Sequence, residues 1–119
     1  MSRTKQVSLA TFESEVLESS IPVVVDFYAD WCGPCRLLGP VLDRVSDTFD
    51  GRAKVVKVNI DQEPSLAQQF NVTSIPTLTF VLDGEVVGQS AGLPSELELK
   101  AAVQKMVDWN DDGKHLAAN

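Results

Sequence analysis

The sequence has two cysteines, one histidine and no run of about 18 apolar residues, and each shortage excludes a class of protein. Two cysteines cannot form the several disulfides of a small secreted scaffold, so the fold must rest on its core. A structural zinc ion needs about four ligands, so these residues could bind one only between two chains. No apolar signal core follows residues 1–6, and we expect a cytoplasmic protein without a membrane span or a metal.

Positive charge is also scarce. The chain has 10 basic against 17 acidic residues, which gives a formal net charge of -7. Such a charge opposes binding to nucleic acid and to anionic lipid, because both carry negative phosphates. We therefore expect protein partners, no nucleic-acid or membrane binding, and a monomer.

The length and the hydrophobic content fit one domain. A chain of 119 residues with 44% hydrophobic residues can form one continuous core, and it contains no repeat or linker. We predict one domain over residues 1–109 and a polar, fraying tail over residues 110–119, in which His115 is solvated.

Hydrophobic periodicity predicts that strands and helices alternate. The predicted elements are a short strand near Gln6 to Ser8, a helix over Leu9 to Glu18 with Leu9, Phe12, Val16 and Leu17 on one face, a strand over Val23 to Tyr28 buried on both faces, an amphipathic helix after the cysteines with Leu38, Val41, Leu42, Val45 and Phe49 inward, a strand over Val55 to Ile60, and a short helix from Pro64. Further along, Asp83-Gly84 predicts a hairpin, and Ser95 with Glu98 forms the capping box of a last helix.

This order predicts an α/β fold. Helices between the early strands require parallel pairing, whereas the hairpin requires antiparallel pairing. A mixed sheet with helices on both faces meets both requirements. Loops at the carboxyl ends of parallel strands are where such sheets keep their chemistry, and Trp31 to Cys35 lies at such an end.

The cysteine pair is suited to thiol–disulfide exchange. With Cys32 at the N-cap and Cys35 near the third helical position, the Cα atoms lie roughly 5 to 6 Å apart, within reach of a disulfide. The helix start favours a thiolate, which makes Cys32, the outer residue, the nucleophile and Cys35 the resolving thiol. Gly33 lets a partner chain approach, and Pro34 fixes φ early in the helix. A structural disulfide, two buried thiols and a zinc site shared by two chains are the alternatives.

Two charged residues interrupt predicted interior strands. Burial of Asp26 should raise its pKa, which makes it a candidate to exchange a proton with Cys35; a hydrogen-bonded structural acid is the alternative. Lys57 could pair with Asp26 across adjacent strands, or it could reach the margin of the sheet. Nearby, Trp31 is a candidate apolar surface residue, and Pro76 marks an edge or a tight turn at a strand start.

Taken together, these residues resemble the thioredoxin family over about Gln6 to Trp109. The resemblance lies in the run from Val25 to Cys35, followed by Pro40, Lys57, Asn59-Ile60-Asp61, Ile75-Pro76-Thr77, Gly84 and Gly92 in the same order and spacing. It implies a five-stranded mixed sheet flanked by four helices, and reduction of protein disulfides with electrons from a flavin-dependent thioredoxin reductase. No cofactor other than the redox-active cysteine pair is implied.

The resemblance also implies roles for single residues. Cys32 attacks, Cys35 resolves, Asp26 assists proton transfer, with Lys57 beside it, and Pro76 is cis. We expect substrates to bind as extended chain at Trp31, Gly33, Pro34, Ile60, Ser74, Ile75, Pro76, Gly92 and Leu93. Tyr28 stands where many members have a second tryptophan, and Ser74 and Ala91 alter the groove rim. A disulfide-forming relative and a non-catalytic binding module are the competing functions.

Overall fold

Strands and helices alternate along the chain, as the periodicity predicts. The computed structural model describes residues 4–117, with side chains described up to residue 112. The elements are β1 (Lys5–Gln6), α1 (Leu9–Phe12), a π-helical segment (Glu13–Leu17), β2 (Val23–Tyr28), α2 (Gly33–Thr48), β3 (Lys54–Asn59), α3 (Pro64–Gln69), β4 (Thr77–Leu82), β5 (Glu85–Ala91) and α4 (Glu96–Ala117).

The five strands form one mixed sheet in the order β1-β3-β2-β4-β5. β1, β3 and β2 run parallel, while β4 lies antiparallel to β2 and β5 antiparallel to β4. The predicted fold class is therefore confirmed. β2 is central, and its residues 23–27 are all buried, because helices cover both faces of the sheet.

Each face of the sheet carries its own core. On one face, α2 and α4 pack on Val24, Val55 and Leu78. On the other, the first helix and α3 pack on a set that includes Val25 and Val56. The alternation along β2 and β3 divides their side chains between these two cores, since successive residues of a strand point to opposite faces.

The first helix departs from the prediction. Phe12 and Val16 are buried, but Leu9 is 54% and Leu17 38% exposed. The helix widens after Phe12, and the N–H of Glu18 donates to the carbonyl of Glu13, five residues back, at 2.9 Å. A π-helical turn shifts Leu17, which lies within it, away from the 3.6-residue period on which the prediction rests. Leu9 precedes this turn and is the first residue of the helix.

The last helix is longer than the sequence predicts. Ser95 caps it, with its Oγ accepting from the N–H of Glu98 at 3.1 Å, as expected. The backbone is helical as far as Ala117, past Asn110, where the sequence places the start of the tail. His115 lies outside the residues whose side chains are described. None of the helices within residues 4–117 has the length and apolar character needed to cross a bilayer.

The hairpin turn between β4 and β5 supplies a stability test. Gly84 has φ of +78°, and a Cβ atom there would lie 2.8 Å from the backbone oxygen of Leu17. We expect Gly84→Ala to lower the free energy of unfolding by about 1 to 3 kcal/mol, because backbone strain adds to the clash. Gly88→Ala is the control, since its Cβ would meet Phe80 at 3.6 Å, an ordinary contact. Urea denaturation of both variants checks this, and equal stabilities would contradict it.

Candidate active site

The two cysteines lie where β2 passes into α2. The N–H of Cys32 donates to the carbonyl of Ala29 at 3.2 Å, which closes the turn after the strand. Cys32 is then the N-cap of α2 with an extended backbone, and Cys35 occupies the third helical position. The two residues form a disulfide with a Cα–Cα distance of 5.3 Å, as the spacing predicts. A strand-to-helix turn thus places both sulfurs at the start of a 16-residue helix.

The helix start directs a hydrogen bond at the first sulfur. The backbone N–H of Cys35 donates to Sγ of Cys32 at 3.2 Å. Pro34 has no N–H, and the first N–H groups of a helix have no acceptor within it. A negative charge on Cys32 would therefore be stabilised by this donor and by the positive end of the helix dipole. This hydrogen bond is seen in the disulfide form. The same arrangement would favour a thiolate at Cys32 once the pair is reduced.

The two cysteine residues do not differ in overall exposure in the disulfide form. Each cysteine residue is 5% exposed. Both pack with Ala29, and three partly buried side chains, Tyr28, Ile60 and Ile75, pack against this group. Cys32 and Cys35 therefore differ in their place at the helix start and not in burial. The expected groove residues Ile60 and Ile75 lie directly against the disulfide.

The loop before β4 presents further predicted residues. The Ile75–Pro76 peptide bond is cis, as the resemblance implies. The hydroxyl of Thr77 donates to the carbonyl of Ser74 at 2.6 Å, and the N–H of Gly92 donates to the carbonyl of Pro76 at 2.9 Å. The second bond brings the β5 end, with the half-exposed Leu93 after it, next to this loop.

Trp31 forms the exposed border of the site. Its side chain is 66% exposed, and Nε1 donates to Oδ2 of Asp61 at 2.9 Å. This bond ties the loop before α2 to the loop after β3, whereas the sequence analysis gave Asp61 no role. Gly33 and Pro34 are also exposed in the first turn of α2. The predicted substrate residues thus come from four loops at the same edge of the sheet.

Asp26 is buried beneath this edge. It is 1% exposed, and neither carboxylate oxygen has a hydrogen-bond partner among the described residues. Loss of hydration raises the pKa of Asp26 from its ordinary 3.8 to about 7, and the positive charge of Lys57 partly opposes that rise. A carboxyl group with such a pKa can hold or release a proton near neutral pH.

Lys57 lies opposite Asp26 but does not hydrogen-bond to it. The two residues are paired in the register of β2 and β3, as the sequence suggests. However, Nζ of Lys57 sits over the ring of Tyr28, 4.4 Å from its centroid. The hydroxyl of Tyr28 in turn donates to Oε1 of Gln6 at 2.8 Å. These contacts of Tyr28 and Gln6 are not predicted from the sequence, although the two-residue alternation of strands places Tyr28 on the same face as Asp26.

Two cavities lie away from the cysteines. One, of about 650 Å³, lies between the β4–β5 hairpin and α4, and the other, of about 200 Å³, lies beside Lys57. Neither cavity is lined by Cys32 or Cys35. Within the described residues, no three metal-ligating side chains are grouped as a metal ion would require.

Known proteins that are similar to this chain are thioredoxins. The family model described as Thioredoxin matches residues 3–105. A thioredoxin of Synechocystis sp. is 45% identical over 105 residues, which cover 88% of this chain and 98% of the relative. Thioredoxin 1 of Synechococcus elongatus is 48% identical with the same coverage. A thioredoxin of Haemophilus influenzae is 42% identical over 99 residues, or 83% of this chain and 92% of the relative.

Burial of Asp26 predicts a pH-dependent stability. A pKa raised from 3.8 to about 7 means that the folded state binds the proton more tightly, so stability is lost as pH rises through this range. We expect Asp26→Asn to raise the free energy of unfolding at pH 8 by about 2 to 4 kcal/mol and to change it little at pH 4. Urea denaturation at both pH values measures this. The same gain at both values would show that ionisation of Asp26 is not the cause.

Proposed function

This chain belongs to the thioredoxin family, whose cysteine pair reduces protein disulfides, and we propose that Cys32 attacks and Cys35 resolves. The observation that carries the assignment is the hydrogen bond from the Cys35 N–H to Sγ of Cys32. It stabilises negative charge on Cys32, and a thiolate is the attacking form of a thiol. Cys35, with its Cα 5.3 Å away, is close enough to complete the exchange.

The exchange proceeds in two displacements. The Cys32 thiolate attacks one sulfur of a substrate disulfide, forms a mixed disulfide and releases the first substrate thiolate. The Cys35 thiolate then attacks Sγ of Cys32, which closes the Cys32–Cys35 disulfide and releases the second substrate thiolate. The substrate gains two electrons and the cysteine pair loses two.

Asp26 serves the second displacement in this proposal. Cys35 must lose its proton to attack, and a carboxylate can accept that proton if its pKa is near that of the working pH. The raised pKa of Asp26, about 7, supports this role. Lys57, opposite it in the sheet, adjusts that pKa.

The electrons return from outside the chain. The described site has no electron donor besides the two cysteines, so each turnover leaves a disulfide that another protein must reduce. We assign this step to a flavin-dependent thioredoxin reductase. Such a cycle needs a reducing compartment, and this requirement supports a location in the cytoplasm. The protein acts as a monomer and needs no cofactor beyond its cysteine pair.

Substrates bind as extended chain along the loop of Ser74 and Ile75. This loop lies against the disulfide through Ile75, and its backbone can pair with an incoming strand. Backbone pairing does not depend on side-chain identity, which suits a reductant of many disulfides. Apolar contacts come from Trp31, Ile60 and Leu93, with Gly33, Pro34, Pro76 and Gly92 allowing close approach.

We place the catalytic unit in residues 1–109. Every proposed site residue precedes position 94, and the match to the family ends at residue 105. Residues 110–119 extend this unit, with a helical backbone as far as Ala117.

An insulin-reduction assay with dithiothreitol tests the function. We expect the wild type to accelerate reduction and Cys35→Ser to lose turnover, because its resolving thiol is absent. Reduced Cys35→Ser that is freed of dithiothreitol and then mixed with insulin should accumulate a mixed disulfide. Cys32→Ser should show neither. Mass spectrometry under non-reducing conditions identifies the adducts, and trapping through Cys35 in the Cys32→Ser variant would reverse the roles. A second arm replaces dithiothreitol by NADPH and a bacterial thioredoxin reductase, and a failure of this arm alone would exclude that donor.

The substrate surface is tested with the two tryptophans of the chain. Trp31 is 66% and Trp109 64% exposed, but Trp109 lines the cavity between the hairpin and α4. We expect Trp31→Ala to raise the KM for insulin about 5- to 30-fold, because one large apolar contact is lost. Alkylation of Cys32 by iodoacetamide should stay within about 2-fold, and Trp109→Ala should change neither quantity. Equal effects of the two substitutions would place substrate binding elsewhere.

A further inference from the structure

Three polar side chains form a row across the sheet. In the register, Gln6 of β1 pairs with Lys57 of β3, and Lys57 pairs with Asp26 of β2. Residues paired in adjacent strands point to the same face, so all three share the face covered by α2 and α4. Lys57 lies in the middle of the row, between a neutral amide and a buried carboxyl group.

Tyr28 reaches across this row. It lies two residues after Asp26 on β2 and therefore shares its face. Its hydroxyl donates to Gln6 of β1 at 2.8 Å, so the side chain spans β3 from one neighbour to the other. The ammonium of Lys57 sits over the tyrosine ring, 4.4 Å from its centroid, at a distance typical of a cation–π contact.

The ammonium has thus taken one of two positions open to it. Lys57 is paired with Asp26 in the sheet, yet neither carboxylate oxygen of Asp26 accepts a hydrogen bond from it. A lysine side chain has a flexible stem of four carbons, so its ammonium group can turn toward either Asp26 or Tyr28. The hydrogen bond to Gln6 fixes the tyrosine ring where it attracts the ammonium away from the carboxyl group.

We propose that Tyr28 is a positioning residue, which holds the Lys57 ammonium off the Asp26 carboxyl group and so keeps that group able to carry a proton. Direct contact with the ammonium would favour the ionised carboxylate. The tyrosine ring therefore determines how strongly the Lys57 ammonium stabilises the ionised form of Asp26. The importance of this for catalysis rests on the proposed function, in which Asp26 accepts the proton of Cys35.

Other titratable groups lie near the pair in the described part of the chain. Asp43 of α2 lines the 200 Å³ cavity together with Lys57, so it is a second anion that the ammonium could approach. Cys32 and Cys35, which titrate once they are reduced, lie at the start of α2, and the β4 partner of Asp26, Leu78, carries no charge. The positive charge of Lys57 partly opposes the raised pKa of Asp26.

The test is a carbon-13 NMR titration of the Asp26 carboxyl group in the reduced full-length chain. Tyr28→Leu removes the ring and keeps an apolar side chain beside the cysteines, so Lys57 can contact Asp26. We expect the proton affinity of Asp26 to fall about 10-fold, a shift of about one pH unit. Tyr28→Phe keeps the ring and loses the bond to Gln6, and it should shift the affinity less than Tyr28→Leu.

A double-variant cycle separates this effect from a change in packing. Lys57→Met alone should raise the proton affinity of Asp26, since it removes the opposing charge. If Tyr28 acts through Lys57, adding Tyr28→Leu to Lys57→Met should then change that affinity less than 2-fold. An equal shift with and without Lys57 would overturn the proposal, and so would an unchanged affinity in Tyr28→Leu, as expected if Asp43 held the ammonium.

Insulin reduction measured against pH completes the test. If the proposed function holds, the pH midpoint of turnover in Tyr28→Leu should move down with the titration of Asp26. The titration reports on Tyr28 whether or not the protein turns over, so the two ideas fail separately. An unchanged titration with normal turnover rejects the role of Tyr28 alone. A shifted titration with an unmoved turnover midpoint supports the placement of Lys57 and rejects Asp26 as the proton acceptor.

Discussion

The hydrogen bond from the Cys35 backbone to the Cys32 sulfur links the redox chemistry to the architecture of the sheet. It exists because β2 ends at Tyr28 and the chain turns at once into a helix. The helix cannot shift easily, since Leu38 and Leu42 are fully buried in the core beneath it. A strand buried on both faces and a helix anchored in the core therefore hold the two sulfurs in place.

A second constraint is the polar row within an otherwise apolar layer. The fully buried Val25 and Phe27 flank Asp26 along β2, and an ionised carboxylate costs most where hydration is lost. The structure places one lysine opposite it and directs that lysine toward an aromatic ring. The acid is thus neither neutralised by an ion pair nor left without any nearby charge. Its proton affinity follows from this intermediate arrangement.

The sequence predicts the sheet well because each strand carries its own signal. The continuous valines of β2, the apolar run of β3 and the Asp83-Gly84 turn are local patterns, and local patterns suffice to place strands and hairpins. The π-helical segment could not be foreseen, since the widening of the helix depends on how Phe12 and Val16 pack against the sheet. Local signals do not report such packing.

In the site, too, local sequence signals predict some features, whereas contacts between distant residues are not predicted. The cysteine spacing and the anomalous Asp26 are visible in the sequence, as is the proline of the cis bond. The direction of a long side chain is not, because it depends on which partners the register brings within reach. The sequence suggests an ion pair between Lys57 and Asp26, yet the ammonium of Lys57 lies over the ring of Tyr28. The bond from Trp31 to Asp61 likewise joins residues that are 30 positions apart in the chain.

The short separation of the two cysteines has a consequence for folding. A disulfide stabilises a fold by as much as the fold stabilises the disulfide, because both are sides of one thermodynamic cycle. Cys32 and Cys35 are three positions apart, and so small a closed loop removes only roughly 2 kcal/mol of chain entropy from the unfolded state. A bridge across about 100 residues would remove more than twice that amount. The fold therefore depends less on the redox state of this pair than it would on that of a bridge between distant parts of the chain.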